Sequence, residues 1–344
     1  MPKKTDIVIV SYNTQELTSE CIESIYNTAH NLINSIIVVD NCSSDSTVGI
    51  IKLKFANVNI ITNPENYGYA KAVNIGVNAS FSEYVIISNS DVIFQENSIA
   101  GLINYLEENP GIGAAGPQQL YPDGTYQYSY GDLPGIKLGT KKLFLINHVQ
   151  DYFHKKIWEK SRSKAKEVPY IDGAVIATRR DEFNKISGFD EDYYFYTEEA
   201  DYCFRLKKIG RKIMYFPSSV ITHFRGASDK SEGLNAQRLS QMVASKRKFC
   251  EKRLSYQAGK YYMVCEIIYS LNMMIIWYLK ELLCHSKKTK ITPDEKKAGT
   301  DDDKFKTQKN KFNSTIDKVH YNKILFKIWL DEFNKFLRSD GKSI

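Results

Sequence analysis

Residues 188–206 bring carboxylates and aromatic rings together where the sequence changes to a helical pattern. The stretch reads GFDEDYYFYTEEADYCFRL, so that only Thr197 separates Glu198 and Glu199 from a run of three tyrosines and one phenylalanine. A carboxylate within hydrogen-bond reach of an alcohol can remove its proton while the oxygen attacks. The sequence therefore predicts a general base for a sugar-type hydroxyl. The alternative is structural, with Thr197 as an N-cap and both glutamates complementing the helix dipole.

Not every charged residue of that stretch is expected to face a ligand. Neighbouring helical side chains point about 100° apart, so Glu198 and Glu199 cannot both face the same ligand atom. Asp201 and Arg205 are four residues apart and are expected to pair along the helix.

Polar residues follow the first two predicted strands. Ser11, Tyr12 and Asn13 end the first strand, and Asp40 ends the second. Open α/β sheets bind ligands at the carboxyl ends of their strands. Tyr12 could stack on a nucleotide base and Asp40 could accept a hydrogen bond from its imide, whereas the dinucleotide fingerprint GxGxxG is absent. The alternative for Asp40 is a cap on the helix predicted to begin near Ser44.

Two further segments suit a diphosphate and a metal ion. The segment NYGYAKAVNIG runs from Asn66 through Lys71, and its small residues at a helix start favour a pyrophosphate. The fourth strand ends in Asn89, Ser90 and Asp91, whose oxygens suit Mg²⁺ or Mn²⁺. A simple turn is the alternative, because Asn, Ser and Asp all favour turns.

Short apolar runs alternate with helical patterns through the first two-thirds of the chain. This alternation predicts an α/β fold with a mostly parallel sheet covered by helices on both faces. Strands are predicted over 6–11, 35–40, 59–62, 84–88, 170–180 and 212–216, the last stopped by Pro217; helices are predicted over 16–28, 44–55 and 69–79; a loop is predicted over 121–139, and a helical or irregular segment over 143–165.

Composition is that of a globular protein with uneven charge. From Arg238 onward there are 23 Lys and Arg against 12 Asp and Glu, while the preceding residues hold 24 against 28. The six cysteines are scattered without metal-site spacing, which favours reduced cytosolic thiols. The N-terminal apolar run is too short for a signal peptide, so we expect a cytoplasmic protein. A basic C-terminal region suits an anionic surface or a solvated tail.

The C-terminal third predicts a helical extension with three parts. We expect a catalytic domain over 1–236, helices over 237–285, a charged linker over 286–313, and an amphipathic helix over 314–344 capped by Ser314. Residues 261–279 are long enough to span a bilayer, but Glu266 is costly there. A helix lying on the inner face of the plasma membrane is one reading; packing on the catalytic domain or a homodimer interface are the others.

Seven motifs in order resemble the inverting GT-A glycosyltransferases of family 2, especially the rhamnosyltransferase-like branch. The motifs are VSYN, VVDNCSSDST, NPENYGYAKAVNIG, ISNSD, DGAVIATRR, GFDEDYYFYTEEADYCFRL and THFRGAS. The resemblance covers residues 5–230 and implies a GT-A fold, which is Rossmann-like, plus a C-terminal helical extension.

The resemblance also implies roles for individual residues. Tyr12 and Asp40, with Ser11 and Asn13 beside them, match nucleotide contacts, and Asn66 and Lys71 lie where the donor is cradled. Asn89, Ser90 and Asp91 match the DxD-type metal motif, with Asn replacing the first Asp. His223 matches a residue that joins the metal or the diphosphate in some relatives. Asp172, Gly173, Ala174 and Glu198 match the sugar and acceptor lining, and Glu199 matches the general base, where relatives carry Asp.

The function implied by the resemblance is metal-dependent, inverting transfer of one sugar. The donor would be a dTDP- or UDP-sugar, plausibly carrying L-rhamnose, and the acceptor a surface glycan or lipid-linked glycan; no nucleic-acid partner is expected. The QxxRW motif of processive synthases is absent, which favours non-processive addition. A degenerate module that binds nucleotide or a protein without turnover is the alternative, motivated by Asn89 and Glu199. A nucleotidyltransferase is disfavoured because its Gly-rich N-terminal loop is missing.

Overall fold

The structure is a computed structural model of the 344-residue chain that describes residues 5–29, 31–146, 163–224, 236–288 and 302–338. Most of the predicted segment over 143–165, and residues 289–301 of the predicted linker, lie outside these residues. The described chain forms two compact units. The first comprises 5–133 and 163–224, and the second comprises 134–146, 236–288 and 302–338.

Strands and helices alternate along the first unit, and helices make up the second. The strands are β1 Thr5–Ser11, β2 Ile33–Asp40, β3 Asn59–Thr62, β4 Tyr84–Asn89, β5 Val92–Phe94, β6 Ile112–Leu120, β7 Tyr126–Gln127, β8 Tyr130–Gly131, β9 Lys166–Glu167, β10 Tyr170–Ile171, β11 Val175–Arg179 and β12 Lys212–His223. The helices are α1 Gln15–Ala29, α2 Thr47–Lys54, α3 Tyr69–Asn78, α4 Ser98–Glu108, α5 Ile136–Leu143, α6 Arg180–Lys185, α7 Glu198–Lys208, α8 Ala236–Arg253, α9 Tyr256–Lys288 and α10 Asp302–Arg338.

The first unit is built on one mixed sheet of ten strands. Eight strands follow the order β3-β2-β1-β4-β11-β6-β12-β5, with β7 paired to β6 and β9 to β12. The pairs β3-β2, β2-β1, β1-β4 and β6-β12 are parallel, while β11 runs antiparallel between β4 and β6. Strands β8 and β10 form a separate antiparallel pair. The predicted α/β sheet with parallel strands is confirmed.

Helices cover both faces because the central strands are apolar on both sides. In β1, Ile7 and Ile9 join the buried cluster that contains residues of α1 and α4. Val8 and Val10 join the opposite cluster, with residues of α3 and α7. Side chains alternate across a strand, so one continuous apolar run fills two layers of core.

Two strand predictions differ from the structure. The prediction that Pro217 stops the last strand is wrong, because β12 continues to His223. The pairing of β12 with β6 shifts register between Phe216 and Val220, and a bulge is where a strand tolerates a proline. The strand predicted over 170–180 is two strands, β10 and β11, separated at Gly173.

The second unit is a cluster of four helices with its own core. Buried side chains of α8, α9 and α10 form it, including Val243, Tyr262 and Trp329. Helix α5 joins them because Gly139 comes close to Tyr262 and Cys265 of α9. Residues 134–146, which the sequence placed in the catalytic domain, therefore belong to this helical unit.

The C-terminal helices are longer than the sequence predicts. Residues 302–313, expected to be linker, are helical, because α10 begins at Asp302. Ser314 lies inside α10 and is not its N-cap. The segment is rich in Lys, a good helix former, so a composition that is typical of linkers is compatible with a helix here.

One helix among the described residues has the length and composition of a membrane span. Residues Tyr256–Leu282 of α9 have a mean hydropathy of 1.4. Core helices of soluble proteins pass the same test, and α9 packs on α5, α8 and α10. Glu266 is buried there and accepts a hydrogen bond from Lys142 Nζ at 2.5 Å.

Candidate active site

The carboxyl ends of β1, β2 and β4 form the base of the candidate site. Parallel register places Ser11 beside Asp40 and Val10 beside Asn89. The polar residues that follow three separate strands in sequence therefore meet at one edge of the sheet, as the sequence predicts.

Asp40 has a buried carboxylate with one oxygen unpaired. Oδ2 accepts from the backbone N–H of Ser43 at 3.0 Å, while Oδ1 is buried and has no hydrogen-bond partner in the described part of the chain. The helix-cap alternative fails, because α2 begins at Thr47 and Asp45 accepts from the Thr47 N–H. A buried unpaired carboxylate oxygen is costly unless a ligand supplies a donor. Tyr12, with 47% of its surface exposed, is open to solvent.

The other polar residues at these strand ends are mainly engaged within the protein. The hydroxyl of Ser11 lies 3.0 Å from that of Thr14, and the hydroxyl of Ser90 lies 2.9 Å from the same Thr14 group. Asn13 Oδ1 accepts from the Ser44 N–H at 2.7 Å. These three predicted site residues therefore hold the loops after β1, β2 and β4 in place.

Asn41 organises the loop before α3 and was missed by the sequence analysis. Its Nδ2 donates to Asn66 Oδ1 at 2.8 Å, and its Oδ1 accepts from Asn63 Nδ2 and from the Tyr67 N–H. Asn66 Oδ1 also accepts from the Gly68 N–H at 3.0 Å. Asn66 thus shapes the loop predicted to cradle the donor.

The start of α3 lies against the loop that precedes α7. Gly68 has φ +81°, and a Cβ there would lie 2.4 Å from the Tyr194 carbonyl oxygen, so only glycine fits. The Tyr69 N–H donates to that same carbonyl at 2.8 Å. Lys71 Nζ lies 3.9 Å from the centre of the Tyr67 ring, a cation–π contact.

Asp91 and His223 come together although 132 residues separate them in the sequence. His223 Nε2 lies 3.3 Å from Asp91 Oδ1, and both residues are buried. Phe224 N–H donates to the Asp91 carbonyl, which fixes the end of β12 to the loop after β4.

Gln127 sets the orientation of the His223 ring. Gln127 Nε2 donates to the His223 carbonyl at 3.2 Å, which turns Oε1 towards His223 Nδ1 at 2.6 Å. The ring must therefore donate from Nδ1, and in the neutral imidazole Nε2 carries a lone pair towards Asp91. Two acceptors at that distance need a cation between them, either a proton or a metal ion.

A hydrogen-bonded chain connects this pair to Asp172. Gln119 Oε1 lies 3.3 Å from His223 Nδ1, and Gln119 Nε2 donates to Asp172 Oδ1 at 3.3 Å. Asp172 Oδ1 also accepts from the Ala174 N–H. Gln119 and Gln127 were missed by the sequence analysis. For Gln119 the available signal was a polar side chain near the end of the buried strand β6; Gln127 lies in the two-residue strand β7 and carries no such signal.

The predicted base lies in the first turn of α7. Tyr196 and Thr197 both have positive φ, at 69° and 75°, and such strain in non-glycine residues clusters at functional sites. Glu198 is buried with Oε2 unpaired, and Glu199 is half-buried. Thr197 makes no side-chain cap hydrogen bond, so the simple capping interpretation fails.

The electrostatics of the two glutamates favour their neutral forms. Burial, with repulsion from Asp172, raises the pKa of Glu199 to about 7. Burial and the charge of Glu199 raise the pKa of Glu198 well above its usual value. A carboxyl group that titrates near neutral pH is suited to accept and release a proton.

Gly173 opens space beside Glu199. A Cβ built on Gly173 would lie 3.6 Å from Glu199 Cβ and Cγ and 3.9 Å from Cδ. The Gly173 carbonyl accepts from the Tyr69 hydroxyl at 3.3 Å. The break between β10 and β11 thus places bare backbone next to the candidate base.

Tyr69 marks the point where the predicted acidic residues converge. Burial raises its pKa well above the usual value, and negative charge adds to the effect. The contributing carboxylates are Glu198, Glu199, Asp91 and Asp172. Carboxylates from three separate segments therefore lie near enough to Tyr69 to act on its hydroxyl.

The predicted pair of Asp201 and Arg205 is confirmed. Arg205 Nε donates to Asp201 Oδ2 at 2.6 Å. The same guanidinium donates to the carbonyls of Ile186 and Gly188, so it ties α7 to the turn after α6.

Comparison with known families shows to which family this fold belongs. The family described as "Glycosyl transferase family 2" matches residues 6–186, which is more than half of the chain. The chain belongs to glycosyl transferase family 2. The predicted resemblance is thereby confirmed, and the protein is a glycosyltransferase.

Two relatives of this glycosyltransferase are named as rhamnosyltransferases. It is 28% identical over 211 residues to the N-acetylglucosaminyl-diphospho-decaprenol L-rhamnosyltransferase of Mycobacterium tuberculosis, covering 56% of this chain and 67% of that protein. It is 24% identical over 235 residues to Rhamnosyltransferase WbbL of Escherichia coli K12, covering 65% and 85%.

Two solved structures share the GT-A fold. The mannosyltransferase PcManGT from Pyrobaculum calidifontis, in complex with GDP-Man and Mn²⁺, superposes with a TM-score of 0.55 at 14% identity over 98% of this chain and 88% of that chain. GalNAc-T7 with UDP, GalNAc and Mn²⁺ gives a TM-score of 0.51 at 16% identity over 72% of this chain. This glycosyltransferase spans half the length of that GalNAc-T7 chain. The predicted fold class is confirmed.

Asp91 and His223 of this glycosyltransferase could hold a metal ion only if a bound ligand supplied further donor atoms. Within the described residues, no group of three or more His, Cys, Asp or Glu side chains is placed to hold an ion. Asp91 and His223 provide two donors, one hard oxygen and one imidazole nitrogen oriented by Gln127. Mg²⁺ and Mn²⁺ are commonly held by one or two side chains plus substrate phosphates, so this pair is adequate.

Proposed function

We propose that this glycosyltransferase is an inverting, non-processive enzyme that moves one sugar from a nucleoside diphosphate to a hydroxyl group. L-rhamnose is the proposed sugar, and a cell-surface glycan or lipid-linked glycan is the proposed acceptor. The observation that carries the proposal is Glu199, a carboxyl group with a pKa raised to about 7 beside the bare backbone of Gly173.

The nucleotide is proposed to bind at the ends of β1 and β2. Asp40 Oδ1 is buried and unpaired, and an imide N–H of uracil or thymine is a donor of suitable polarity. Tyr12 is exposed next to it and offers a ring for stacking. Lys71 and the loop shaped by Asn66 are proposed to accommodate the diphosphate.

The diphosphate is proposed to leave on the side of Asp91 and His223. A divalent ion held by Asp91 and His223 would neutralise the charge that develops on the leaving group. Gln127 keeps the His223 Nε2 lone pair directed towards Asp91, and Gln119 connects the imidazole to Asp172. Asn89 and Ser90 are proposed to complete this side through the geometry of their loop.

Glu199 is proposed to be the general base. It accepts the proton of the acceptor hydroxyl while the oxygen forms a bond to the anomeric carbon and the bond from that carbon to the diphosphate oxygen breaks. One displacement inverts the anomeric configuration. Burial and the charge of Asp172 keep the Glu199 pKa high. Gly173, with Ala174 after it, is proposed to leave room for the sugar.

Rhamnose and a lipid-linked acceptor are proposed because one of the relatives is an N-acetylglucosaminyl-diphospho-decaprenol L-rhamnosyltransferase. The enzyme is proposed to act in the cytoplasm at the inner face of the plasma membrane. The basic charge of the C-terminal third and the apolar helix α9 support that location.

Nucleoside diphosphate release tests the proposal. The full-length enzyme is incubated with dTDP-rhamnose or UDP-sugars, with and without Mn²⁺, and the freed diphosphate is measured. We expect turnover that Glu199→Gln and Asp91→Ala lower by about 10²–10⁴-fold, while Glu108→Gln on an exposed part of α4 leaves it unchanged. Nucleotide binding without release from any donor would instead support a module without turnover.

A further inference from the structure

The helical unit contains a cavity that the proposed transfer reaction does not use. Its volume is about 370 Å³, and its lining comes from α5, α8, α9 and α10. Three lysines line it, Lys142, Lys246 and Lys318, along with a single glutamate. This volume lies within the range of small-molecule sites.

The glutamate in the cavity is already neutralised. Glu266 Oε1 accepts from Lys142 Nζ at 2.5 Å and from the Tyr262 hydroxyl. These partners, with the charge of Lys246, lower the pKa of Glu266 against the effect of burial. The carboxylate is therefore ionised and paired with Lys142, which leaves the other two lysines in excess.

Lys246 lines the same cavity, and the charge of Glu266 reaches it only at longer range. Among the described residues its ammonium makes no hydrogen bond or ion pair, and it lies 5.9 Å from the centre of the Trp329 ring. Burial and the charge of Lys142 lower its pKa to about 8. A lysine ammonium that is removed from water without an acceptor is stabilised when an anion enters. Lys318, over the Trp277 ring at 4.3 Å, adds a second cation at the same cavity.

The remaining walls are apolar and aromatic. Met242, Met273 and Leu325 line the cavity together with the rings of Trp277 and Trp329. Sulfur, aliphatic and ring atoms of this kind pack well against hydrocarbon. A cavity lined by both lysines and apolar side chains suits a ligand with an anionic head and an apolar chain.

The outer face of α9 is also apolar. Ile275, Tyr278, Leu279 and Leu282 are exposed, at the spacing that places side chains on one face of a helix. Helices with such a face associate with lipid surfaces, where phosphate esters of hydrocarbon chains are abundant. The same helix thus lines the cavity and offers a surface to the source of such a ligand.

We propose that this cavity binds a phosphate ester of a long hydrocarbon chain. The phosphate pairs with Lys246 and Lys318, and the first part of the chain packs on Trp277, Trp329 and Met273. The ligand comes either from an acyl-chain phospholipid or from an isoprenoid phosphate, which share this chemistry. The site is independent of the proposed sugar transfer, and its test requires no turnover.

Tryptophan fluorescence of the full-length protein tests the site, because two of its three tryptophans line the cavity. The probes are decyl phosphate and farnesyl phosphate, both below their micelle-forming concentrations. Inorganic phosphate, which has only the anionic head, and decanol, which has only the hydrocarbon chain, are the controls. We expect saturable binding of at least one chain phosphate, and the tighter of the two identifies the source. Inorganic phosphate or decanol binding as tightly as the chain phosphates would overturn the proposal.

Matched lysine variants connect the signal to the cavity. Lys246→Gln is expected to weaken binding by about tenfold or more, the usual effect of removing a charged hydrogen-bond partner. Lys318→Gln is expected to weaken it by a smaller factor, and it serves if the first variant does not fold by circular dichroism. Lys323→Gln, on an exposed part of α10, is the control and is expected to bind normally. If Lys246→Gln and Lys318→Gln both bind the chain phosphate as tightly as the wild type, the assignment is contradicted.

Discussion

His223 Nε2 lies 3.3 Å from Asp91 Oδ1, and the opposite ring nitrogen lies 2.6 Å from Gln127 Oε1. This arrangement directs a nitrogen lone pair towards a carboxylate, and a bound cation resolves the repulsion between the two acceptors. The geometry distinguishes His223 from a histidine that only fills the core, because a residue from a separate strand sets its tautomer.

The first prediction concerns this pair. His223→Gln should abolish the extra thermal stabilisation that Mn²⁺ gives in the presence of a nucleoside diphosphate, because one of two protein ligands is lost. A thermal-shift assay with nucleotide, with and without Mn²⁺, measures the effect. His320→Gln, on α10, is the control and should retain the response. An undiminished response in His223→Gln would exclude this histidine from the metal site.

The second prediction concerns the nucleotide base. Asp40→Asn removes the negative charge of a carboxylate whose Oδ1 is buried and unpaired. It also replaces one of the two carboxylate oxygens with an NH2 group, which donates hydrogen bonds and does not accept them. We expect nucleoside diphosphate affinity to fall by about 10–100-fold, as when a charged hydrogen bond is lost, without loss of folding. Isothermal titration with dTDP and UDP measures it and also shows which base is preferred. Unchanged affinity for both would remove Asp40 from the nucleotide site.

The third prediction uses the space beside the base. Gly173→Ala places a methyl group 3.6 Å from Glu199 Cβ, an ordinary van der Waals distance, so the protein should fold normally. The methyl group occupies space proposed for the sugar, and turnover should fall by about tenfold or more because reacting groups tolerate little misplacement. Gly49→Ala, where no atom lies within 4 Å of the added Cβ, should keep full activity. Full activity in Gly173→Ala would show that the sugar lies elsewhere.

The fourth prediction follows from the pKa of Glu199, raised from 4.5 to about 7 by burial first and Asp172 second. The folded chain holds a proton that the unfolded chain releases between these pH values, so the free energy of unfolding decreases as pH rises through this window. Glu199→Gln has no carboxyl proton at this position, so this decrease in the free energy of unfolding is absent. Its melting temperature should exceed that of the wild type above pH 7, and the difference should vanish below about pH 4.5. A variant that is less stable at pH 8 would contradict the raised pKa.

Turnover should depend on the same ionisation of Glu199, but it should increase with pH where the free energy of unfolding decreases. A general base acts only when deprotonated, so turnover should rise as pH increases through about 7 as Glu199 ionises. A pH–rate profile with saturating donor measures the rise. Activity that is constant between pH 5 and 8 would argue against this base.

The sequence was sufficient for the elements whose signal is local. The apolar runs ending in Ser11, Asp40 and Asn89 predicted three strand ends, and parallel pairing then placed them together. Residues whose role depends on distant partners were missed. Gln119 and Gln127 contact His223 across 104 and 96 residues, so no local pattern could identify their partner.

Other differences arose where tertiary structure overrides local rules. Pro217 reads as a strand stop, yet the register shift in β12 accommodates it. The hydroxyls of Ser11 and Ser90 read as ligands, but both meet Thr14 inside the fold. Composition alone also hid the helix that begins at Asp302.

The anomeric configuration of the released sugar is the most direct test of a single displacement with Glu199 as base. Donor with a known anomer is mixed with enzyme and Mn²⁺, and proton NMR records the first sugar product within minutes, before the anomers equilibrate. The account predicts the configuration opposite to that of the donor, formed by the wild type and lost in Glu199→Gln. A product that retains the donor configuration, or that Glu199→Gln forms at the wild-type rate, would contradict it.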